Sequence, residues 1–175
     1  DTKKLIFIYG IASGMMHIHS KNLIYKDLSS KNVLIDEYLL PKIKNSENYF
    51  LNLEIEHYLA KGVGILSYMS PELLNEEEYD QKVDIYAFAV LVHYIIAGGL
   101  PKITLRDRMK GEKIPMNQTI PQHYVNLLNN CLELDPKKRP TFNEIISILK
   151  TDKSFITDKI DEKEFYEFIE SIENQ

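Results

Sequence analysis

Two side chains, the carboxylate of Asp27 and the amide of Asn32, lie five positions apart between a long apolar segment and the short run 33–35. A carboxylate can orient an attacking hydroxyl, and an amide oxygen can bind a metal ion. Phosphoryl transfer uses this pair of groups on a loop with four residues between them. The same spacing also occurs in turns and at helix caps, so the flanking residues must decide between these interpretations.

The residues on either side of this loop favour a catalytic role. Residues 18–20, Ile-His-Ser, end the preceding apolar-periodic segment, and residues 32–36 are typical of a strand. With these flanks, residues 25–32 resemble the catalytic loop of a protein kinase, with Tyr-Lys-Asp where the family has His-Arg-Asp. The resemblance implies that Asp27 is the catalytic carboxylate and that Asn32 is a metal ligand.

Apolar spacing predicts the elements that must position this loop. Residues 2–20 carry side chains at intervals of three and four that predict an amphipathic helix, which Asp1 or Thr2 can cap. The residues at this spacing are Leu5, Ile8, Tyr9, Ala12, Met16 and His19. Residues 33–36 and 41–44 are typical of two short strands joined by a turn. Further helices are predicted at residues 83–97, which are apolar nearly all round, and at residues 105–110, 121–132 and 141–149. Thr141 is the predicted cap of the last helix.

The resemblance fails where the family has Asp-Phe-Gly, whose Asp holds magnesium. Residues 45–47 are Asn-Ser-Glu in a register that residues 41–43 fix without a gap, and a misplaced alignment is the alternative. Asn45 keeps a carbonyl oxygen but loses the charge that Mg²⁺ favours. Ser46 cannot fill the space of the Phe, and Glu47 puts a negative charge near the phosphates. The resemblance therefore implies that Asn45 is a weakened metal ligand and that catalysis is impaired.

Other differences from the family lie around Asp27 and beyond it. Tyr25 stands in place of a His that packs beneath the metal loop, and Lys26 in place of an Arg that binds a phosphorylated activation loop. Lysine is only a point charge and lacks the fork of Arg. Lys31 has the position of an Arg in tyrosine kinases and can neutralise a phosphate, whereas a solvated surface lysine is the alternative. Ile65 replaces the Thr of the Gly-Thr-Pro found in serine/threonine kinases.

The structural half of the family pattern is better retained. Residues 68–72, Tyr-Met-Ser-Pro-Glu, resemble the Ala-Pro-Glu region, and Arg139 matches the late Arg that pairs with Glu72. A buried pair of this kind is costly to break one partner at a time. The resemblance also implies that Asp84 accepts hydrogen bonds from the backbone of the catalytic loop, and a simple helix cap is the alternative.

The composition is that of an ordinary globular protein, with 44% apolar and 27% charged residues in a chain of 175. Residues 151–175 hold eight acidic side chains against three lysines, which accounts for the net charge of −5 and leaves residues 1–150 neutral. We therefore expect neither a nucleic-acid nor a membrane partner. The single Cys131, which we expect to be buried, and the lack of a visible signal peptide indicate a cytoplasmic location.

The sequence predicts two parts, a kinase C-terminal lobe at residues 1–150 and an acidic amphipathic helix at residues 151–175. Apolar side chains at helical spacing are expected to dock the second part on the lobe, and docking on a separate partner is the alternative. These side chains are Phe165, Phe168, Ile169 and Ile172. We expect a mainly α fold, a helical lobe with a small two-stranded hairpin and no N-terminal lobe, and the initial Asp1 fits a fragment.

The resemblance is nearest to tyrosine-kinase-like serine/threonine kinases and implies ATP and Mg²⁺ as cofactors and a protein as substrate or partner. The family grips the phosphates with a Gly-rich loop and a strand Lys paired with a helix Glu, and residues 1–175 contain neither. We therefore expect weak nucleotide binding by this chain alone and predict an impaired lobe that binds or scaffolds. The alternatives are a serine/threonine or tyrosine kinase completed by an N-terminal lobe, and a poorly folding gene fragment.

Overall fold

The computed structural model describes residues 1–45 and 66–174. Within these ranges the chain is mainly helical with one sheet of two antiparallel strands, so the expected fold class, a helical lobe with a small hairpin, is confirmed. The elements are α1 Thr2–Ser20, β1 Val33–Ile35, β2 Pro41–Ile43, α2 Pro71–Leu74, α3 Lys82–Ala97, α4 Leu105–Met109, α5 Gln122–Cys131, α6 Phe142–Thr151 and α7 Glu162–Glu173. Short 3-10 helices occupy Pro136–Lys138 and Lys153–Phe155.

The first helix, α1, is packed on more than one side. The sequence pattern predicts a single apolar stripe, and this stripe is too narrow, because Ile6, Ile11 and Met15 are buried as well. Met16, which the pattern places on the buried face, is only half-buried. Since α1 contacts β2, α3, α6 and α7, its apolar side chains find partners around most of the helix.

Helix α3 passes through the interior of the lobe. Every residue from Val83 to His93 is buried, as the nearly continuous apolar sequence predicts. Gly98 ends the helix at φ 73°, in the left-handed region that a residue with a Cβ rarely adopts. None of the helices in residues 1–45 and 66–174 combines the length and hydropathy that a bilayer-spanning segment needs. The apolar character of α3 is therefore explained by its position in the core.

The hairpin pairs the start of β1 with the end of β2. Val33 pairs with Ile43 and Ile35 with Pro41 in the antiparallel register. In the turn, the Asp36 carboxylate accepts hydrogen bonds from the backbone N–H groups of Leu40 at 2.8 Å and Tyr38 at 3.0 Å. These bonds, chiefly the one from Leu40, lower the pKa of Asp36. The chain leaves the loop 25–32 along β1 and returns beside it along β2, and the hairpin fixes this path.

Two glycines of α1 face this hairpin at close range. A Cβ on Gly10 would lie 2.6 Å from Cγ of Pro41 and 3.3 Å from Cζ of Phe168. A Cβ on Gly14 would lie 2.8 Å from Cδ1 of Ile43. The Pro41 ring is tied to the backbone, whereas Cδ1 of Ile43 is the end of a side chain that can rotate. Gly10 therefore allows α1 to touch β2 and α7 at the same place.

We expect Gly10→Ala to lower the melting temperature. Alanine favours a helix interior over glycine by about 1 kcal/mol, but overpacking a rigid contact costs roughly 1–3 kcal/mol. Gly14→Ala is the matched control and should leave the melting temperature unchanged or raise it, because Ile43 can move its terminal methyl. Thermal unfolding of both variants tests the contact. A Gly10→Ala protein as stable as the Gly14→Ala protein would contradict it.

The acidic C-terminal helix α7 docks on its own lobe. Phe165 and Ile169 are buried at 0% and 1% exposure, and the Phe165 ring meets the Tyr9 ring edge-on at 5.7 Å. The Tyr9 hydroxyl donates to Oε1 of Glu173 at 3.3 Å, and Lys150 of α6 donates to the same carboxylate at 2.7 Å. The bond from Lys150 is the main cause of the lowered pKa of Glu173. In the described residues, α7 therefore packs against α1 and bonds to α6.

Helices α5 and α6 complete the core, and α6 begins at a capping signal that is visible in the sequence. The Thr141 hydroxyl accepts from the backbone N–H of Glu144, and the Glu144 carboxylate accepts from that of Thr141. This capping box begins α6 where the sequence places Thr141 as the cap. Cys131 at the end of α5 is fully buried, and burial raises the pKa of its thiol to about 12. It is a packing residue rather than a reactive one.

Candidate active site

Asp84 in the first turn of α3 holds the backbone of the loop 25–32. Its Oδ2 accepts from the N–H of Tyr25 at 2.7 Å, and its Oδ1 accepts from the N–H of Lys26 at 2.8 Å. The carboxylate is 1% exposed and lies 2.9 Å from Nε2 of His19 at the end of α1. Since Asp84 bonds to a distant loop, the alternative role of a simple helix cap does not describe it. It joins α1, α3 and the loop.

The loop takes an uncommon backbone conformation between these bonds. Lys26 has φ 65°, in the left-handed region that residues with a side chain enter at a cost of roughly 1–3 kcal/mol. The two bonds to Asp84 fix the amide planes around it and offset that cost. Gln81 adds a second support, because its Nε2 donates to the carbonyls of His19 and Leu23 at 3.0 Å each. The chain entering Asp27 is therefore held at several points.

Tyr25 connects the loop to the end of the hairpin. Its side chain is completely buried, and its hydroxyl donates to the carbonyl of Lys44 at 2.6 Å. The N–H of Lys44 in turn donates to the carbonyl of Asn32 at 2.8 Å. These two bonds place Asn45, the residue after Lys44, beside the loop. Asn45 itself is exposed, and its neighbours Ser46 and Glu47 lie outside the described residues.

The loop is also closed on itself through Asn32. Its Nδ2 donates to the carbonyl of Asp27 at 2.8 Å, which leaves the amide oxygen, the atom that a hard cation would bind, on the other side of the group. Asp27 is half-buried and Lys31 is exposed. Asp27 also lines a cavity of about 10 Å³ with Tyr68 and Asp84. A cavity of this size holds about one water molecule and no larger ligand.

Glu72 and Arg139 form a buried, two-pronged ion pair. Nη1 of Arg139 lies 2.6 Å from Oε1 of Glu72, and Nη2 lies 3.0 Å from Oε2. The exposed fractions are 5% for Glu72 and 1% for Arg139. Arg139 also donates to the carbonyls of Glu133 at 2.7 Å and Lys82 at 3.0 Å, and its guanidinium lies 5.1 Å from the ring of Tyr86. The pair ties α2 to α3 and to the start of α6.

The structure also reveals contacts that the sequence does not. Arg108 of α4 is buried, and its guanidinium donates to the carbonyls of Leu66, Ser67 and Met69. His19 at the end of α1 contacts Asp84, a partner 65 positions away that the local sequence does not indicate. The spacing of Leu105 and Arg108 on one face of a short helix is the signal that could have placed Arg108 inward.

Much of the predicted activation segment cannot be compared with the structure. The two tyrosines of this segment (residues 48–67), Tyr49 and Tyr58, lie outside the described residues, and so does Ile65. At the end of the segment, the Tyr68 hydroxyl donates to Oγ of Ser30 at 3.1 Å, so this part touches the loop. Among residues 1–45 and 66–174, no group of three or more His, Cys, Asp or Glu side chains could hold a metal ion.

Comparison with known proteins agrees with this geometry. The family model described as "Protein tyrosine and serine/threonine kinase" matches residues 1–149. A probable serine/threonine-protein kinase, drkD, of Dictyostelium discoideum is 33% identical over 151 residues, which cover 81% of this chain and 12% of that protein. A probable LIM domain-containing serine/threonine-protein kinase of the same organism is 34% identical over 159 residues, covering 87% and 24%.

A third relative shows that the similarity extends to kinases of broader specificity. A dual specificity protein kinase of Dictyostelium discoideum is 30% identical over 154 residues, which cover 84% of this chain and 11% of that protein. The chain therefore spans a quarter or less of the length of each of these relatives. The match over residues 1–149, together with the helical lobe and its loop, shows that the chain belongs to the protein tyrosine and serine/threonine kinase family.

Proposed function

We propose that this lobe is a catalytically impaired protein-kinase module whose retained role is binding or scaffolding of a protein partner. The proposal rests on one observation. Hydrogen bonds hold the loop in place, whereas the position of the metal ligand has an amide instead of a carboxylate. Asp84 and Tyr25 hold the loop 25–32 in place, while Asn45 offers a neutral amide where the family has a carboxylate. Such a lobe keeps its shape without the charge that phosphate transfer needs.

The residues present fit Mg²⁺ poorly. Magnesium prefers carboxylate oxygens in near-octahedral geometry, whereas the two metal positions implied by the family carry the amide oxygens of Asn32 and Asn45. Two neutral amide ligands compensate less of the positive charge of Mg²⁺ than a carboxylate would, so they hold the ion, and the phosphates bound to it, more weakly. Asp27 remains the residue that would orient a substrate hydroxyl, and Lys31, being exposed, could neutralise a phosphate only from the solvent side.

An active kinase that includes an N-terminal lobe is the second candidate. The arrangement of the loop favours it, because Asp84 fixes the backbone at Lys26 and Asn32 fixes the carbonyl of Asp27. A patch of exposed apolar side chains beside Asn32 also suits a covering lobe. The patch consists of Leu34, Ile35, Tyr38 and Leu39, with exposed fractions from 52% to 72%. ATP and Mg²⁺ would then be used at the junction of the two lobes.

The proposed organisation follows the same division. Residues 1–150 form the kinase lobe, and residues 151–175 form an accessory part whose helix α7 is docked on α1 through Phe165 and Ile169. We place the module in the cytoplasm with a protein partner rather than a nucleic acid or a membrane. The neutral charge of residues 1–150 supports this assignment.

The chain by itself is expected neither to bind Mg·ATP tightly nor to transfer phosphate. The phosphate-gripping parts are missing from residues 1–175, and Asn45 weakens the metal site. Incubation with labelled ATP and generic peptide acceptors measures the transfer, with Asp27→Ala as the matched control. Incorporation of label above the level of that control would refute the impaired reading and favour the active kinase.

A further inference from the structure

Arg108 makes an unusual set of contacts for a charged side chain. It lies on the short helix α4 and is 3% exposed. Its two terminal nitrogens donate to three main-chain carbonyls of residues 66–69, which we call the anchor: those of Leu66 at 2.8 Å, Ser67 and Met69. One guanidinium thus holds three peptide groups of a segment that lies about forty positions away in the chain.

These carbonyls stabilise the buried positive charge of Arg108. Its guanidinium donates to three main-chain oxygens of the anchor and also interacts with the side chain of Tyr86, while its Nε is buried without a hydrogen-bond partner among the described residues. The ring of Tyr86 lies 5.7 Å from its Cζ. Burial lowers the pKa of Arg108, the direction expected when a charge leaves water. A buried cation with few alternative acceptors holds the carbonyls it has in a fixed arrangement.

Helix α4 gives Arg108 a fixed base. The Thr104 hydroxyl accepts from the N–H of Asp107 at 3.1 Å and caps the helix. At its other end, Nδ2 of Asn75, just after α2, donates to the carbonyl of Met109 at 3.1 Å. The helix is therefore attached both to its own cap and to the chain that follows the anchor.

The anchor in turn reaches the loop that carries Asp27. Tyr68 lies between Ser67 and Met69, two residues whose carbonyls Arg108 binds. Its ring is 5% exposed, and its hydroxyl donates to Oγ of Ser30 at 3.1 Å. A chain of contacts thus runs from Arg108 through the anchor and Tyr68 to Ser30.

We propose that Arg108 is a positioning residue that holds the anchor 66–69 on α4 and, through Tyr68, steadies the loop around Asp27. This tether consists of hydrogen bonds to main-chain carbonyls and to Ser30, and it needs no phosphate on the activation segment. This role of Arg108 goes beyond the proposed function, because Arg108 holds the anchor whether the lobe transfers phosphate or only binds a partner.

Hydrogen exchange of the full chain tests this inference. In Arg108→Met, the amides of residues 66–69 should exchange about tenfold faster or more, since each lost bond involved a charged donor. The amides of α1 and α3 in the same protein serve as the internal reference. Arg106→Met, which removes an exposed guanidinium from the same helix, is the matched control and should leave the anchor unchanged.

Arg108→Lys keeps the charge but not the fork, so it covers the case in which Arg108→Met does not fold. Its anchor should exchange faster than in the wild-type chain, while α1 and α3 keep their protection. Tyr68→Phe should speed exchange in residues 28–32 and leave the anchor slow, which separates the two steps of the tether. Unchanged exchange at the anchor in both Arg108 variants would overturn the inference, and so would a uniform rise across α1, α3 and the anchor.

Discussion

Breaking the ion pair between Glu72 and Arg139 is expected to destabilise the lobe by about 3–5 kcal/mol when one partner is removed, because the other charge is left buried and unpaired. For a chain of this length that loss corresponds to roughly 6–20 °C in melting temperature. Glu72→Gln should lie at the lower end, since the amide oxygen can still accept from Arg139. Arg139→Met should cost more, because the carbonyls of Glu133 and Lys82 also lose a donor.

The double variant Glu72→Gln with Arg139→Met decides whether the pair acts as a unit. It should lose less stability than the sum of the two single changes, since neither charge is then stranded. The exposed pair Lys163–Glu167, at 3.6 Å on the surface of α7, is the control and should show a coupling of roughly 0.3–0.5 kcal/mol. Additive losses at Glu72 and Arg139 would show that the two side chains do not depend on each other.

The sequence predicts best those elements whose signals are local. The alternation of turn residues and apolar residues places the hairpin, and the Thr141–Glu144 capping box places the start of α6. The nearly continuous apolar run of α3 predicts burial on all sides, which the structure has from Val83 to His93. Each of these signals lies within a few residues, so no knowledge of the tertiary fold is needed.

What the sequence does not predict depends on distant neighbours. Met15 rather than Met16 is buried on α1, because the helices and the strand around α1 decide which side is covered. Arg108 finds its partners in main-chain carbonyls, which every residue has and which therefore leave no trace in the sequence. The contact of His19 with Asp84 joins two residues 65 positions apart, and only the packing of α1 on α3 brings them together.

The second large effect is expected from substitutions at and after Asn45. Its measurement requires a protein that also carries a competent N-terminal lobe. Tyr25 and Asn32 hold Lys44 beside the loop. On the proposed function, the next residue, Asn45, then occupies the metal position with a neutral amide in place of a carboxylate. Changing Asn45→Asp, Ser46→Phe and Glu47→Gly together should supply a carboxylate for Mg²⁺ and remove a negative charge near the phosphates. Phosphate transfer should then appear or rise, and Asn45→Asp alone should recover less.

Asp27→Ala is the control that ties this recovery to the loop. Added to the triple change, it should reduce transfer by about a hundredfold or more, since Asp27 would orient the attacking hydroxyl. Strong transfer by the unmodified fusion would show that Asn45 suffices as a ligand, and the lobe would then be part of an active kinase. No transfer by the triple variant would place the defect elsewhere, at Tyr25, at Ile65 or in residues 101–121, a largely polar segment in which the sequence predicts only the short helix 105–110. A lobe that stays inactive after its metal position is restored, yet keeps the bonds from Asp84 to the loop, would retain its shape for binding alone.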